Sequence, residues 1–356
     1  MYMYVLLVGF LSAIFHGLIL WQILPWHIVY SDVLGFFDKA VVPGIPYISK
    51  MLEYPVLSGL LIQATGYFSF NSREIYYFLS ALILILCALG ATFILYRTAR
   101  MEQRKSIFQF WIFAPSMCLF MVYNWDMLAI LFTVVAIYFM RKEKWHYAAI
   151  FIALGFSAKF FPVIYLAPIL VVVRPFYEKI KIFGSFLATA FLINLPFIVL
   201  NPSGWFYFFE FNSERNSNPD SIWTIFRFIF GEIGISNINL ISFALFAGTF
   251  LIVLWRYRNL DILKLCFAGT ILFLLFNKVF SPQYTLWLLP FFVLAFTPSK
   301  TWFYILEFSN ITCLFIILPW YLLGHEIFYF YLVIPFVLLR HLSLVTLLYF
   351  SLDSSS

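Results

Sequence analysis

Apolar runs of about membrane-spanning length recur along almost the whole chain, and this feature constrains the fold most. A helix needs about 20 mostly apolar residues to cross the hydrocarbon core of a bilayer. Hydrophobic residues make up 64% of the 356 positions and charged residues only 11%, whereas soluble domains carry about a quarter charged residues. The sequence therefore predicts a polytopic α-helical membrane protein and excludes soluble enzymes, nucleic-acid binders and secreted disulfide scaffolds.

About twelve segments are predicted to be membrane helices, in one all-α domain that covers residues 1–356. They are 1–24, 75–96, 107–123, 127–140, 146–158, 160–173, 182–200, 236–255, 262–277, 285–297, 301–319 and 328–350. Several are shorter than a full span. The first has no basic residues before it and no small-residue cleavage site after it, which favours an anchor over a removed signal peptide.

The basic residues predict the orientation in the membrane. Cytoplasmic loops carry an excess of Lys and Arg, and most of the 22 basic residues cluster at 97–105, 141–144, 174–181 and 256–264. Both termini are therefore expected in the cytoplasm. The long loops, at about 25–74 and 201–235, are expected on the outer face of a cell membrane. A span at 55–70 would reverse this arrangement, so that segment is predicted to be an interfacial helix in the first outer loop.

Three acids on the predicted outer face are candidate site residues. They are Asp32 in HIVYSDVLGF, Glu53 in PYISKMLEYP and Asp126 in MVYNWDML. A carboxylate among aromatic residues at a membrane boundary is partly desolvated, which raises its pKa and suits Asp32 to accept a proton. The alternative for Asp32 is an N-cap, with Ser31 or Asp32 starting a short helix at Val33. For Glu53 it is a first-turn acid at a helix N-terminus, and for Asp126 it is a cap.

Cations with few acids near them in the sequence lie on the same predicted face. They are Lys159 in GFSAKFFPV, Lys278 in FNKVFSPQYTLW, Arg215 in FNSERNSNPD and His325 in LLGHEIFY. A cation in an apolar setting normally pairs with an anion, although snorkelling to the interface is the alternative for Lys159. Acids and unpaired cations on one face would suit a phosphate-bearing ligand. Glu307 and Arg340 fall inside predicted spans, where they could pair with each other, and a structural role is expected for them.

Several motifs are absent from the sequence. It has no GxxxxGK[ST] phosphate loop, no HExxH and no Asp-x-Asp pair, so neither ATP hydrolysis nor a bound divalent metal is expected. The four cysteines, Cys87, Cys118, Cys266 and Cys313, lie in apolar stretches without metal-ligand or redox spacing. They are expected to be small hydrophobic residues.

A series of short motifs follows one order along the chain: YSD, PY…EYP, NWD, GFSAKFFPVIYLAP, SIW and SPQYTLWLLP. This order resembles the GT-C membrane glycosyltransferases. It is most similar to their branch of polyprenol-phosphate-mannose-dependent α-1,2-mannosyltransferases, over about residues 30–290. That branch often shows EYPP, where this chain has Val56 in place of the second proline.

The resemblance implies an activity. A hexose, mannose in the first instance, would pass from a polyprenyl-phosphate-sugar donor to a lipid-linked or glycan acceptor at the extracytoplasmic face. The transfer would be inverting and metal-independent, with no cofactor besides the donor. Asp32 corresponds to the base that deprotonates the acceptor hydroxyl, and Lys159 and the segment 278–284 lie near the donor phosphate. The expected substrate-binding residues are Glu53, Asp126, Lys159, Arg215, Lys278, Gln283, Tyr284 and His325.

Two other classes of function remain open. A transporter or flippase for a lipid-linked or small anionic substrate would place its ionisable groups near the membrane midplane, whereas most of those in this chain fall at predicted loop edges. An inactive scaffold that partners another enzyme is the third hypothesis, and it predicts that substitution of Asp32 changes no activity. The sugar itself, mannose, glucose or arabinose, is also left open.

Overall fold

The computed structural model describes residues 1–231, 233–317 and 326–353, with the backbone alone at 316, 317 and 326–333. Within these ranges the chain consists of helices and connecting turns, and its β-type pairing is limited to an isolated bridge between Pro46 and Lys50. The all-α prediction is confirmed for these residues. Helices satisfy their backbone hydrogen bonds within the segment, as lipid requires.

The first half of the chain combines single-turn helices in the first long loop with longer helices after it. In order, they are α1 (Tyr2–Gly17), α2 (Trp26–Val29), α3 (Asp32–Gly35), α4 (Phe37–Val41), α5 (Val56–Tyr67), α6 (Arg73–Thr98), α7 (Arg104–Ile107), a π-helical turn (Phe108–Ile112), α8 (Pro115–Phe120), α9 (Asp126–Arg141), α10 (Trp145–Ala158), a 3-10 turn (Phe161–Tyr165) and α11 (Leu166–Val172). Helix α5 begins directly after Pro55, where the Tyr54–Pro55 pair predicts a helix start.

The second half contains the longest apolar helices. In order, they are α12 (Phe176–Leu200), α13 (Pro202–Glu214), α14 (Ile222–Phe230), α15 (Ile235–Arg256), α16 (Ile262–Phe276), a 3-10 turn (Pro282–Trp287), α17 (Leu289–Leu294), α18 (Lys300–Thr312), a π-helical turn (Cys313–Ile317) and α19 (Glu326–Leu352). Helices α12 and α13 are separated only by Asn201, whose side chain accepts a hydrogen bond from the Gly204 amide at the start of α13.

Among the described residues, four helices are long and apolar enough to cross a membrane: α6, α12, α15 and the part of α19 from Ile334 to Leu352. These helices support the prediction of a membrane protein, but the count of twelve spans is not confirmed. Helix α9, for example, has 16 residues. At about 1.5 Å per residue it is about 24 Å long, which is shorter than the ~30 Å hydrocarbon core.

Proline begins a new helical segment inside two of the segments that were expected to be continuous spans, and just before a third. Pro115, Pro162 and Pro282 each lie at the start of a new helical segment, within 107–123, 160–173 and just before 285–297. Proline lacks an amide hydrogen and disfavours the helical conformation in the residue before it. Segments whose apolar composition predicts one helix are therefore divided into shorter ones.

The first long loop is held against two helices by close backbone contacts. A Cβ at Gly66 of α5 would lie 2.4 Å from the carbonyl oxygen of Ala40, and a Cβ at Gly204 of α13 would lie 2.1 Å from that of Tyr47. Only glycine permits such an approach. Tyr47 Oη also donates to the carbonyl oxygen of Tyr54 at 2.7 Å. These contacts fix the part of the loop just before α5, which bears Glu53 and Tyr54.

Candidate functional site

An open cavity lies where the two long loops meet the segment after α10 and the segment after α16. Its empty volume, including the part open to solvent, is about 2120 Å³. Most of the residues selected from the sequence line it: Asp32, Glu53, Lys159, Arg215, Lys278, Gln283 and Tyr284. Of the other two, Asp126 contacts Lys159, and His325 lies outside the described residues.

Asp32 is the first residue of α3, and hydrogen-bond donors contact both of its carboxylate oxygens. Tyr30 Oη donates to Oδ1 at 2.8 Å, and Asn124 Nδ2 donates to Oδ2 at 2.5 Å. Burial raises the pKa of Asp32, although Tyr30, Lys159 and Asn124 each oppose this effect. The carboxyl group therefore combines a fixed orientation with an increased tendency to accept a proton.

The helix-capping interpretation of Asp32 is wrong. No side chain caps α3, and the hydroxyl of Ser31 donates instead to the carbonyl oxygen of Tyr123 at 3.1 Å. The amide of Val33 contacts the same carbonyl at 3.4 Å. These contacts hold the first long loop against the turn that precedes α9, so that Asn124 of this turn reaches Asp32.

Asn124 joins two segments of the first loop through its side-chain amide. In addition to Asp32, Nδ2 contacts Tyr54 Oη at 2.9 Å. The negative charge of Asp32, followed by burial, raises the pKa of Tyr30, and burial raises that of Tyr54, so both phenols keep their protons. We call this group, Tyr30, Asp32, Tyr54 and Asn124, the acid wall of the cavity.

Lys159 lies at the C-terminal end of α10 and pairs with Asp126. Its Nζ is 3.2 Å from Oδ1, and Trp287 Nε1 donates to the same oxygen at 2.8 Å. Burial disfavours the charged form of Lys159, but Asp126 and its neighbours outweigh this effect and raise the pKa of the lysine. The expectation that a cation in this apolar setting has an anionic partner is therefore confirmed for Lys159, and the snorkelling alternative is wrong. Asp126 lies in the first turn of α9 but does not cap the helix.

Arg215 and Lys278 form the other charged part of the cavity, which we call the cation wall. Lys278 Nζ donates to the carbonyl oxygen of Ser213 at 2.9 Å, and Arg215 Nη2 donates to Asn218 Oδ1 at 3.2 Å. No carboxylate of the described residues pairs with either cation. Burial, followed by the charge of Arg215, lowers the pKa of Lys278 to about 8. Two neighbouring cations of this kind favour an anionic ligand.

The two loops that bear these cations are connected by Asn218. Its backbone amide donates to the carbonyl oxygen of Lys278 at 2.9 Å, and its side chain donates to Ser281 Oγ at 3.1 Å. Because the Asn218 side chain also accepts from Arg215, one residue fixes the guanidinium group relative to the lysine-bearing segment. The connection between α13 and α14 also contains Asp220, which lines the cavity.

Asp220 is the partner of Arg340, so Glu307 and Arg340 do not pair with each other. Arg340 Nη1 lies 3.1 Å from Asp220 Oδ2, and Nη2 donates to the Asp220 carbonyl oxygen at 2.5 Å. Glu307 Oε2 instead accepts from the amide and the hydroxyl of Ser116, at 2.8 and 2.6 Å. A basic residue in an apolar helix thus pairs with an acid from the distant second long loop.

The remaining selected residues line the cavity with different contacts. Glu53 forms an ion pair with Lys39, at 2.5 Å between Oε1 and Nζ, and it precedes α5, so it is not a first-turn acid. Gln283 is buried, and its Oε1 has no partner among the described residues. The ring of Tyr284 stacks on that of Trp287 with 4.0 Å between centroids, and Lys159 Nζ is 5.4 Å from the Tyr284 ring centre.

Sequence reasoning missed the residues that orient the charged groups: Tyr30, Tyr54, Asn124, Asn218 and Asp220. A signal existed for three of them, because Tyr30, Tyr54 and Asn124 belong to the YSD, EYP and NWD motifs. Asn218 and Asp220 are polar residues of a long loop, where such residues are common. Their roles depend on contacts with residues more than 60 positions away.

The arrangement can support proton transfer and the binding of an anion in one cavity. Asp32 is an acceptor with a raised pKa, and Arg215 is close enough to act electrostatically on Tyr30 and Tyr284. In the part of the chain that the structure describes, no group of three His, Cys, Asp and Glu side chains could hold a metal ion. The described cysteines are all unpaired.

Comparison with known proteins adds no relative. No family model matches this sequence, and no curated protein is significantly similar to it.

Proposed function

We propose that this chain is a membrane glycosyltransferase that transfers a hexose, mannose in the first instance, from a polyprenyl-phosphate-sugar to a lipid-linked or glycan acceptor. One observation supports this function above the others: a fixed carboxylate with a raised pKa shares a cavity with two cations that have no carboxylate partner among the described residues. The motif order described above, which is similar to that of GT-C enzymes, agrees with it.

In this mechanism Asp32 is the general base. The oxygen of the acceptor hydroxyl forms a bond to the anomeric carbon of the sugar while the bond from that carbon to the phosphate oxygen breaks. The hydroxyl proton passes to Asp32, and the electron pair of the broken bond leaves with polyprenyl phosphate. A direct displacement of this kind inverts the anomeric configuration, and a positioned base contributes about 10²–10⁴-fold to such a rate.

Arg215 and Lys278 would stabilise the charge that develops on the leaving phosphate. Preorganised cations aimed at developing charge act strongly in a site from which water is partly excluded. Lys159 is paired with Asp126 and is therefore a weaker candidate for direct phosphate contact. Its ammonium group instead lies 5.4 Å from the ring centres of both Tyr54 and Tyr284, where it would hold these two lining rings together.

A narrow aromatic recess opens beside the cavity, between α5, α10, α12 and α13, and its side chains would contact apolar parts of the substrates. Phe160, Phe208 and Phe209 line both the recess and the main cavity. Such a surface suits isoprenoid or acyl chains, while the polar head remains between the two walls. The predicted orientation would place this site at the extracytoplasmic face, with both termini in the cytoplasm.

The test is to incubate the purified protein in lipid vesicles with labelled polyprenyl-phosphate-mannose and a membrane lipid and glycan extract. We expect a mannosylated product, identified by mass spectrometry, both with and without a chelator of divalent metals. Asp32→Asn should form none, while Asp38→Asn, an exposed acid of the same loop, should act as the wild type does.

Two outcomes would contradict this proposal, the first on the activity and the second on the mechanism. Movement of the unchanged donor across the vesicle bilayer, without sugar transfer, would favour the transporter or flippase. Transfer that is lost with chelator would contradict the metal-independent mechanism.

A further inference from the structure

Arg340 is a fully buried cation in an apolar helix, and it contacts both loops of the cation wall. Its guanidinium group pairs with Asp220 of the second long loop through two nitrogens. The same guanidinium group lies over the ring of Phe280, 3.8 Å from the ring centre. Phe280 belongs to the segment that starts at Lys278, so a single side chain contacts the two loops that bear Arg215 and Lys278.

A buried set of hydrogen bonds holds Arg340 from inside the bundle. Asn310 of α18 accepts from Arg340 Nη1 at 3.2 Å. The amide of the same asparagine donates to the carbonyl oxygen of Pro282 at 2.8 Å and to Thr285 Oγ1 at 3.1 Å. Asn310 therefore ties Arg340 to the residues that follow Lys278. Side-chain groups at 220, 285, 310 and 340 are all buried.

We propose that Arg340 is a positioning residue that fixes the spacing of Arg215 and Lys278, and thereby the fit of the cation wall to a phosphate group. The proposal rests on the proposed function, because it takes the cation wall to be the phosphate site. Its physical basis is that a buried charge holds its partner in one geometry, since a displaced partner would remain desolvated and unpaired. Asp220 is held in this way by Arg340. Asn218, two residues before Asp220, accepts a hydrogen bond from Arg215.

The first experiment measures the binding of sugar-free polyprenyl phosphate to the purified protein in lipid nanodiscs. Arg340→Gln is expected to weaken binding about tenfold, a loss of ~1.4 kcal/mol. Arg340→Lys should fall between Arg340→Gln and the wild type, because lysine keeps the charge but not the planar fork. The control is Arg141→Gln, because Arg141 also pairs with an aspartate, Asp261, and a backbone carbonyl, but neither partner lines the cavity as Asp220 does.

A double-mutant cycle separates positioning through the ion pair from general loss of stability. If Arg340 acts through Asp220, then Asp220→Asn should weaken binding about as much as Arg340→Gln, and the double variant should be no worse than either. Additive losses would overturn the proposal. So would binding by Arg340→Gln equal to that of the wild type.

Hydrogen exchange provides a measurement that does not depend on the ligand. Arg340→Gln should speed amide exchange in 213–221 and 278–284 while leaving 28–36, which bears Asp32, at the wild-type rate. Uniformly faster exchange would show a merely structural role and overturn the proposal. If wild-type protein does not bind polyprenyl phosphate but the local change in exchange occurs, the proposed function fails while the positioning role of Arg340 stands.

Discussion

The acid wall and the cation wall lie in one cavity but are held in different ways. In the acid wall, donors from Tyr30 and Asn124 contact both oxygens of Asp32. In the cation wall, Arg215 and Lys278 have neutral partners, one side-chain oxygen and one backbone carbonyl. The carboxylate thus has its direction fixed by hydrogen bonds, whereas the cations keep unneutralised charge.

This difference indicates a division of roles between the two walls. A base must point in one direction and keep a suitable pKa, and hydrogen bonds to both oxygens provide that direction. Groups that bind an anion must keep their charge available, and a resident carboxylate would compete with the ligand. Lys159, which is neutralised by Asp126, contrasts with Lys278 in this respect. The following variants test the division, from the largest expected effect to the smallest.

Removing the charge of Asp32 should have the largest effect, and it should act on catalysis rather than on binding. Asp32→Asn is expected to lower kcat for sugar transfer by about 10²–10⁴-fold, because the base no longer accepts the hydroxyl proton. Binding of polyprenyl phosphate should be retained, since the proposed mechanism assigns the phosphate to Arg215 and Lys278. A variant with near-wild-type kcat would refute the base role of Asp32.

Removing both cations should weaken donor binding. Hydrogen bonds to charged groups contribute about 1.5–3 kcal/mol each, so Arg215→Gln with Lys278→Gln should raise the KM for the donor by about 10²-fold or more. The control is Lys181→Gln, which removes an exposed lysine paired with Glu178 away from the cavity. An unchanged KM in the double variant would mean that the anion binds elsewhere.

Donor affinity should depend on pH through Lys278. Its pKa of about 8 means that the side chain is charged below that pH and neutral above it. The KM for the donor, a phosphodiester of constant charge, should therefore rise as the pH increases through about 8. Lys278→Arg should abolish the rise, because arginine stays protonated. The same rise in Lys278→Arg would assign the dependence to another group.

The acidic side of the rate profile should respond to Tyr30. Burial raises the pKa of Asp32, and the hydrogen bond from Tyr30 lowers it, so Tyr30→Phe should raise this pKa further. Because only the ionised carboxylate acts as a base, the decline of kcat in acid should begin at a higher pH in this variant. Tyr76→Phe is the control, since the Tyr76 hydroxyl is buried and has no partner among the described residues. If Tyr30→Phe leaves the pH profile of kcat unchanged, Tyr30 does not affect the pKa of Asp32.

Local patterns predicted the class of fold and many residues of the cavity. Apolar composition predicted helices, and the Tyr54–Pro55 pair predicted the start of α5. Composition did not predict helix length, because the breaks at Pro115 and Pro162 depend on single residues within otherwise apolar runs. The capping interpretations of Asp32 and Asp126 failed for a related reason: the partners that replaced the helix amides, Asn124 and Lys159, come from other segments.

The sequence by itself determined the all-helical, apolar character of the chain and the chemical types of its loop residues, because both follow from side-chain identity. Only the tertiary structure decided which charges are paired. Lys159 and Lys278 look alike in sequence, yet one meets Asp126 and the other a backbone carbonyl. Arg340 likewise pairs with Asp220, 120 residues away. Pairing depends on distances of a few ångströms between distant segments, and these distances are set by packing rather than by local pattern.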